Sequence, residues 1–205
     1  GTYEAGTPPG AQPRTAAQSG EVAGTTHFVA VDGHGDIASM TSTVEGPFGS
    51  QLIANGYFLN NELTDFTFAP EKDGAPVANR AEAGKRPLSS MSPTIVYGSD
   101  GKPVFAAGAA GGKTIIMQVA KILIAHLDWG LSARDAIAAP NIYFAGDAVL
   151  VEPGTALAAM QNQLAGFGHT VVTGRMSSKA NAAERTATGW QGAADPRSEG
   201  VALGE

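Results

Sequence analysis

The residues best placed to do chemistry are Gly24-Thr25-Thr26-His27. A threonine hydroxyl is a poor nucleophile at its free pKa and needs an adjacent base. If the peptide bond before Thr25 is cut, the freed α-amine lies close to that residue's own hydroxyl. With a pKa of ~8 the amine is partly neutral near physiological pH and can accept the hydroxyl proton, so one residue supplies both nucleophile and base. The same hydroxyl can make the cut. It attacks the Gly24 carbonyl, an ester forms, and water opens the ester. Glycine at position 24 tolerates the unusual backbone conformation such an attack needs. The four residues also fit an ordinary polar strand start, and this local signal alone does not separate the two readings.

Other chemistries are excluded or weakly supported. The 205 residues contain no cysteine, which removes thiol catalysis, disulfides and thiolate metal sites. His34, His126 and His169 are scattered without metal-ligand spacing and read as surface or satisfied side chains, and His27 reads as strand packing. Gly108 to Gly112 followed by Lys113-Thr114 lacks the spacing of a phosphate-binding loop. A net charge of -6 argues against nucleic acid as a partner. No apolar run approaches the roughly 20 residues a membrane span needs, and the start Gly1-Thr2-Tyr3-Glu4 has none of the features of a secretory signal.

The elements that must position Thr25 follow from composition and periodicity. With 43% hydrophobic and 16% charged residues the chain is globular. Residues 1–24 are rich in Gly, Pro, Ala, Thr and Ser and read as a linker or tail. The folded body is expected from Thr25 onward. Residues 26–31 and 37–44 flank a turn-rich Asp32-Gly33-His34-Gly35-Asp36 and predict a hairpin. Further strands are predicted at 94–97, 104–107, 148–151 and 169–172. The clearest helix runs over 114–129, with Ile115, Val119, Ile122 and His126 at helical spacing, beside Ile116, Ala120, Leu123 and Leu127. Gly130 suits its C-terminus. Ser132 can cap a short helix that ends before Pro140, and a third helix is predicted over 155–164. Trp129 and Trp190 read as packing residues. Strands first, then helices alternating with strands, indicate a layered α+β or α/β arrangement.

Several segments, in order, carry a family resemblance. They are Thr25-Thr26-His27-Phe28, Thr41-Ser42-Thr43, Phe48-Gly49-Ser50, the run Leu59 to Phe66 (LNNELTDF), the run Lys85 to Thr94 (KRPLSSMSPT), Gly108 to Gly112, and Ala194-Asp195-Pro196-Arg197. From Thr25 to the C-terminus the chain resembles the small subunit of γ-glutamyltranspeptidases, and the related cephalosporin acylases. That resemblance implies an α+β fold, the four-layer αββα sandwich of N-terminal-nucleophile hydrolases. It also implies a precursor that cuts itself at Gly24-Thr25 into a large and a small subunit that stay together. Residues 1–24 would then be the C-terminal tail of the large subunit and 25–205 the small-subunit catalytic domain.

The resemblance also assigns roles. Thr25 becomes the nucleophile and Thr43 the hydroxyl that supports it, while Gly111 and Gly112 supply the oxyanion hole. Ser89 and Ser90 match the pair that binds the substrate α-carboxylate, and Glu62 and Asp65 match the residues that hold the α-ammonium. Glu45 stands beside them where many members have asparagine, and Thr64 replaces a common aspartate. The arginine that grips the α-carboxylate belongs to the large subunit. The implied partners are that subunit and a small γ-glutamyl substrate such as glutathione, with no cofactor, no metal, no nucleic acid and no membrane span. Family habit implies a periplasmic or secreted location. Asp195-Pro196-Arg197 reads as a structural arginine–carboxylate clamp. Two alternatives stay open: an acylase acting on glutaryl amides, and a non-catalytic relative that never matures.

Overall fold

The computed structural model of the chain describes Gly10 and residues 24–204. The expected linker or tail over 1–24 lies, apart from Gly10 and Gly24, outside the described residues. In chain order the strands are β1 (Thr26–Val31), β2 (Ile37–Ser42), β3 (Ile53–Ala54), β4 (Tyr57–Phe58), β5 (Glu71–Lys72), β6 (Ala75–Pro76), β7 (Thr94–Tyr97), β8 (Pro103–Ala110), β9 (Ile142–Phe144), β10 (Val149–Val151), β11 (Val171–Thr173), β12 (Lys179–Thr186) and β13 (Gly189–Ala194). The helices are α1 (Ile115–Leu127), α2 (Ala133–Ala138), α3 (Ala156–Ala159) and α4 (Gln161–Gly166), with short 3-10 turns at Glu62–Asp65 and Gly112–Thr114.

A four-stranded antiparallel sheet, ordered β13-β12-β8-β7, forms the centre. The two faces of its strands go to different neighbours because side chains alternate along a strand. Phe105, Ala107 and Ala109 of β8 and Ala180 and Ala182 of β12 pack with Ile115, Val119, Ile122 and Ala125 of α1 and Ala133, Ala136 and Ile137 of α2. On the opposite face, a Cβ on Gly108 would meet the His27 ring at 2.2 Å, so the β1-β2 hairpin lies directly over that glycine. The layers are therefore helices, sheet and hairpin. Small residues along β8 and β12 let the helix layer approach closely. Each large aliphatic buried between them contributes about 1.5–3 kcal/mol.

The polar ends of these elements are satisfied by side chains. Ser132 accepts the Asp135 N–H and caps α2, as its sequence predicts. At the other end of α2, the carbonyls of Ile137, Ala138 and Ala139 receive the Lys121 ammonium and the Arg197 guanidinium. Arg197 also pairs with Glu152 and with Asp195, at 3.1 Å. The Asp195-Pro196-Arg197 run is thus a clamp that ties β13 to α2 and to the residue after β10. Gly130 takes φ +68 just beyond α1.

Three expectations need correcting. Trp129 is 65% exposed and lies outside the core cluster, past the end of α1. The helix over 155–164 is broken at Met160 into α3 and α4. Strands β12 and β13, one of them central, were not predicted, because KANAAERT and GWQGAA carry no alternation of large apolar residues.

Candidate active site

Thr25 immediately precedes β1, the first strand of the hairpin, and is 8% exposed. Its hydroxyl donates to Thr43 Oγ1 at 3.2 Å, across the hairpin just beyond β2. Thr43 Oγ1 also accepts the backbone N–H of Glu45 at 2.9 Å. One hydroxyl therefore fixes both the side chain of Thr25 and the start of the next turn. That turn is unusual. Glu45 holds φ +71, a left-handed conformation that costs a residue with a side chain. Its carbonyl presses on Gly24, where a Cβ would lie 2.1 Å from Glu45 O and 2.9 Å from the Gly46 carbonyl carbon. Glycine is required at position 24 by space. It is not among the residues with positive φ, so in this conformation the requirement is one of space.

A single concavity is lined by Thr25, Thr43, Glu45, Glu62, Asp65, Ser89, Ser90, Met91, Gly112 and Ile115. Every site residue inferred from sequence lies on this lining except Gly24 and Gly111. Gly111 sits just behind it, fully wrapped, at φ +140, with Gly112 at φ +61. Thr64 does not face the pocket. Its hydroxyl donates to Asn61 O at 2.7 Å within the turn, so the substitution noted there changes a turn and not the wall. His27 is buried beneath the hairpin, Nδ1 2.8 Å from Thr41 Oγ1, and burial pulls its pKa from 6.5 to about 4.

Oxygens of the three carboxylates Glu45, Glu62 and Asp65 lie within 4.8 Å of one another, the one such group of acidic, histidine or cysteine side chains among the described residues. Burial first, and then the charge of Glu45, raises the pKa of Glu62. An ammonium group has three N–H donors and no acceptor, so three converging carboxylates match it one to one. A hard divalent cation asks for six or more oxygen ligands.

Two asparagines that sequence reasoning passed over hold this cluster together. Asn61 Oδ1 accepts the Gly46 N–H at 2.9 Å and its own N–H donates to Val44 O at 3.2 Å, tying the Glu45 turn to the Glu62–Asp65 turn. Asn79 Nδ2 donates to Asp65 O, and Asn79 Oδ1 accepts the Leu88 N–H at 2.8 Å, which brings the Ser89-Ser90 loop beside the acids. Neither asparagine touches the pocket, and both act between segments remote in sequence, so no local pattern marks them.

The chemistry the pocket permits is acyl transfer. It offers a hydroxyl nucleophile at a strand start, an anionic corner for a cation, hydroxyls for a carboxylate, and a glycine pair at the approach to a helix. Comparison with known proteins agrees with that class. The model of the gamma-glutamyltranspeptidase family matches residues 3–205, and the chain belongs to that family. The glutathione hydrolase proenzyme of Bacillus subtilis (strain 168) is 42% identical over 121 residues, which cover 58% of this chain and 20% of that protein. The chain thus spans about a fifth of the length of such relatives. A mutant of the Helicobacter pylori gamma-glutamyltranspeptidase superposes with a TM-score of 0.75 at 32% identity, covering 84% of this chain and 100% of that one. The Pseudomonas nitroreducens gamma-glutamyltranspeptidase, complexed with L-DON, gives 0.74 at 32% identity, covering 88% and 99%.

Proposed function

We propose that this chain is the nucleophile-bearing half of a precursor that cuts itself at Gly24-Thr25 and then transfers or hydrolyses γ-glutamyl groups through a Thr25 ester. The observation that carries this is the single pocket in which the Thr25 hydroxyl meets the Glu45, Glu62 and Asp65 cluster and the Ser89-Ser90 loop. In the first step Thr25 Oγ bonds to the Gly24 carbonyl carbon, the peptide C–N bond breaks, and the nitrogen takes up a proton. Water then opens the ester, giving a carboxylate on Gly24 and restoring the Thr25 hydroxyl. In turnover the free α-amine accepts the hydroxyl proton, Oγ attacks the γ-carbonyl of the donor, and the leaving amine departs protonated. Water or an acceptor amine releases the γ-glutamyl group.

The donor is glutathione or another γ-glutamyl amide, since its α-ammonium fits the acid cluster and its α-carboxylate the serine hydroxyls. The N–H groups of Gly111 and Gly112 serve the developing oxyanion, each donor being worth roughly 3 kcal/mol. A large subunit from the same precursor completes the site and the fourth layer of an αββα sandwich, with residues 1–24 as its tail and 25–205 as the catalytic domain. Support for such a partner comes from the many large apolar side chains left exposed. Among them are Phe28 and Met40 on the outer face of the hairpin and Ile116, Ile124 and Leu127 along α1. A periplasmic or secreted location belongs to the same proposal.

The test is a pair of anilides given to the complete precursor, one γ-glutamyl and one glutaryl, which differ only in the α-ammonium. A clear preference for the γ-glutamyl anilide is expected. Preference for the glutaryl compound would make the protein an acylase, and cleavage of neither would favour a non-catalytic relative.

A further inference from the structure

Behind the pocket, outside its lining, lies a buried polar network, and we propose that Gln118 and Thr114 are positioning residues that aim the N–H groups of Gly111 and Gly112 at the Thr25 pocket. The inference rests on the acyl-transfer reading above. In a planar trans peptide the C=O and N–H point in opposite directions, so fixing a carbonyl fixes the N–H of the next residue. Gln118 Nε2 donates to Ala110 O at 3.2 Å, which sets the Gly111 N–H. Thr114 Oγ1 lies 2.9 Å from both Gly111 O and Ser177 O, and its proton, when donated to Gly111 O, sets the Gly112 N–H. Without such tethers, two successive glycines at φ +140 and +61 meet little steric resistance to turning over.

The tethers are themselves held. Gln118 Nε2 also lies 2.9 Å from Thr114 Oγ1 and 3.1 Å from Ser177 O, and its Oε1 faces Ser178 Oγ at 3.0 Å. The carbonyls of Ala110 and Ser177 can only accept, which settles that this end of the amide carries the two hydrogens. Ser178 Oγ in turn contacts the Asp195 carboxylate and receives Asn141 Nδ2 at 3.2 Å. Gln118, Asn141, Ser178 and Asp195 are 2–7% exposed. Asn141 Oδ1 has no hydrogen-bond partner among the described residues, but the links from Gln118 through Ser178 to the Asp195 carboxylate are made, and a buried chain of such links favours one geometry. A Cβ on Gly111 would lie 2.6–2.8 Å from Ser177 O, Gln118 Nε2 and Thr114 Oγ1, so these atoms press directly on the glycine they orient.

Gln118→Met keeps size and removes the donors, Thr114→Val removes one hydroxyl, and Thr114→Ser restores it. In the complete precursor, turnover of a γ-glutamyl anilide is measured per matured Thr25 terminus. In Q118M and T114V, kcat is expected to fall by up to about 10²-fold, the scale of one lost oxyanion donor, with KM little changed because the interaction forms only in the transition state. T114S keeps most of the parental kcat. Parental kcat in matured Q118M and T114V, with only a lowered melting temperature, would show that these residues merely pack and would overturn the inference. Orientation is read separately, without substrate, from the ¹⁵N-labelled amides of Gly111 and Gly112. Each gives a single resonance in the parent and in T114S, and shifted or doubled resonances in Q118M and T114V. Unchanged spectra overturn the inference even if the parent proves inactive. A parent that cleaves no γ-glutamyl anilide but shows the spectral change sinks the functional reading alone.

Discussion

Replacing Gly24 by alanine adds one methyl group at the bond that must break. On the present backbone that Cβ would sit 2.1 Å from Glu45 O and 2.9 Å from the Gly46 carbonyl carbon. Side-chain carbons do not approach backbone that closely, so the Gly24–Thr25 junction or the Glu45 turn must retreat by about 1 Å. Overpacking of this kind costs typically 1–3 kcal/mol. A comparable displacement of reacting atoms can cost about 10²-fold in rate. Self-cleavage of Gly24→Ala is therefore expected to slow by roughly ten- to hundredfold, at 1.4 kcal/mol per decade. The assay follows precursor and products by intact mass over time. Gly33→Ala is the control, because a Cβ there meets nothing within 4 Å and cleavage should match the parent. Once the bond is cut, Gly24 no longer belongs to the nucleophile's fragment, so the matured fraction of G24A should turn over at the parental rate. Parental cleavage kinetics in G24A would refute the close approach. A matured G24A fraction with depressed turnover would refute its confinement to the cutting step.

Three further outcomes follow from the charged groups. His27, held down to about pKa 4 by burial, is neutral when folded while its unfolded form titrates near 6.5. Its contribution to stability is therefore lost as pH falls from about 6.5 towards 4, by about 3 kcal/mol in all, and His27→Gln should flatten that limb of a pH-dependent urea titration. For Asp195, burial acts upward, but the hydroxyl of Ser178 and the Arg197 N–H and guanidinium outweigh it and hold the carboxyl below its ordinary value. Its stabilisation is present above the ordinary carboxylate pKa and is lost as pH falls through the folded value, so Asp195→Asn should lower the melting temperature at neutral pH and lose the acid-side dependence. Glu62→Gln should raise KM for a γ-glutamyl anilide by about 10- to 100-fold, the scale of a charged hydrogen bond, and leave KM for a glutaryl anilide unchanged. An equal effect on both would remove the ammonium role.

Much of this was legible because the signals are local. The Ser132 cap, the periodicity of α1 and the β-prone runs of β1, β7 and β10 each depend on a few neighbouring residues. The candidate site residues were proposed from ordered short motifs, and the structure brings Thr25, Thr43, Glu45, Glu62, Asp65, Ser89, Ser90 and Gly112 to one lining. Strand β12 was not legible. It is central because alanines at 180 and 182 fit beneath the helices, and small residues carry no strand signature of their own. The scaffold of the site was hidden for a related reason. Gln118 meets Ser177 and Ser178 across 59 and 60 positions, and Asn79 joins Asp65 to Leu88 across 14 and 9, so their roles exist only after folding. At Gly24 the sequence offers only the conformational freedom of glycine, whereas the approach of Glu45 O is read only in three dimensions.

The most direct test of the central claim is the N-terminal sequence and intact mass of the purified precursor beside its Thr25→Ala variant. A new terminus at Thr25 in the parent, with the two fragments co-purifying, and a single uncut chain in the variant are the predicted results. An uncut parent, or a variant cut at the same bond, would contradict the assignment of Thr25 as the activated nucleophile.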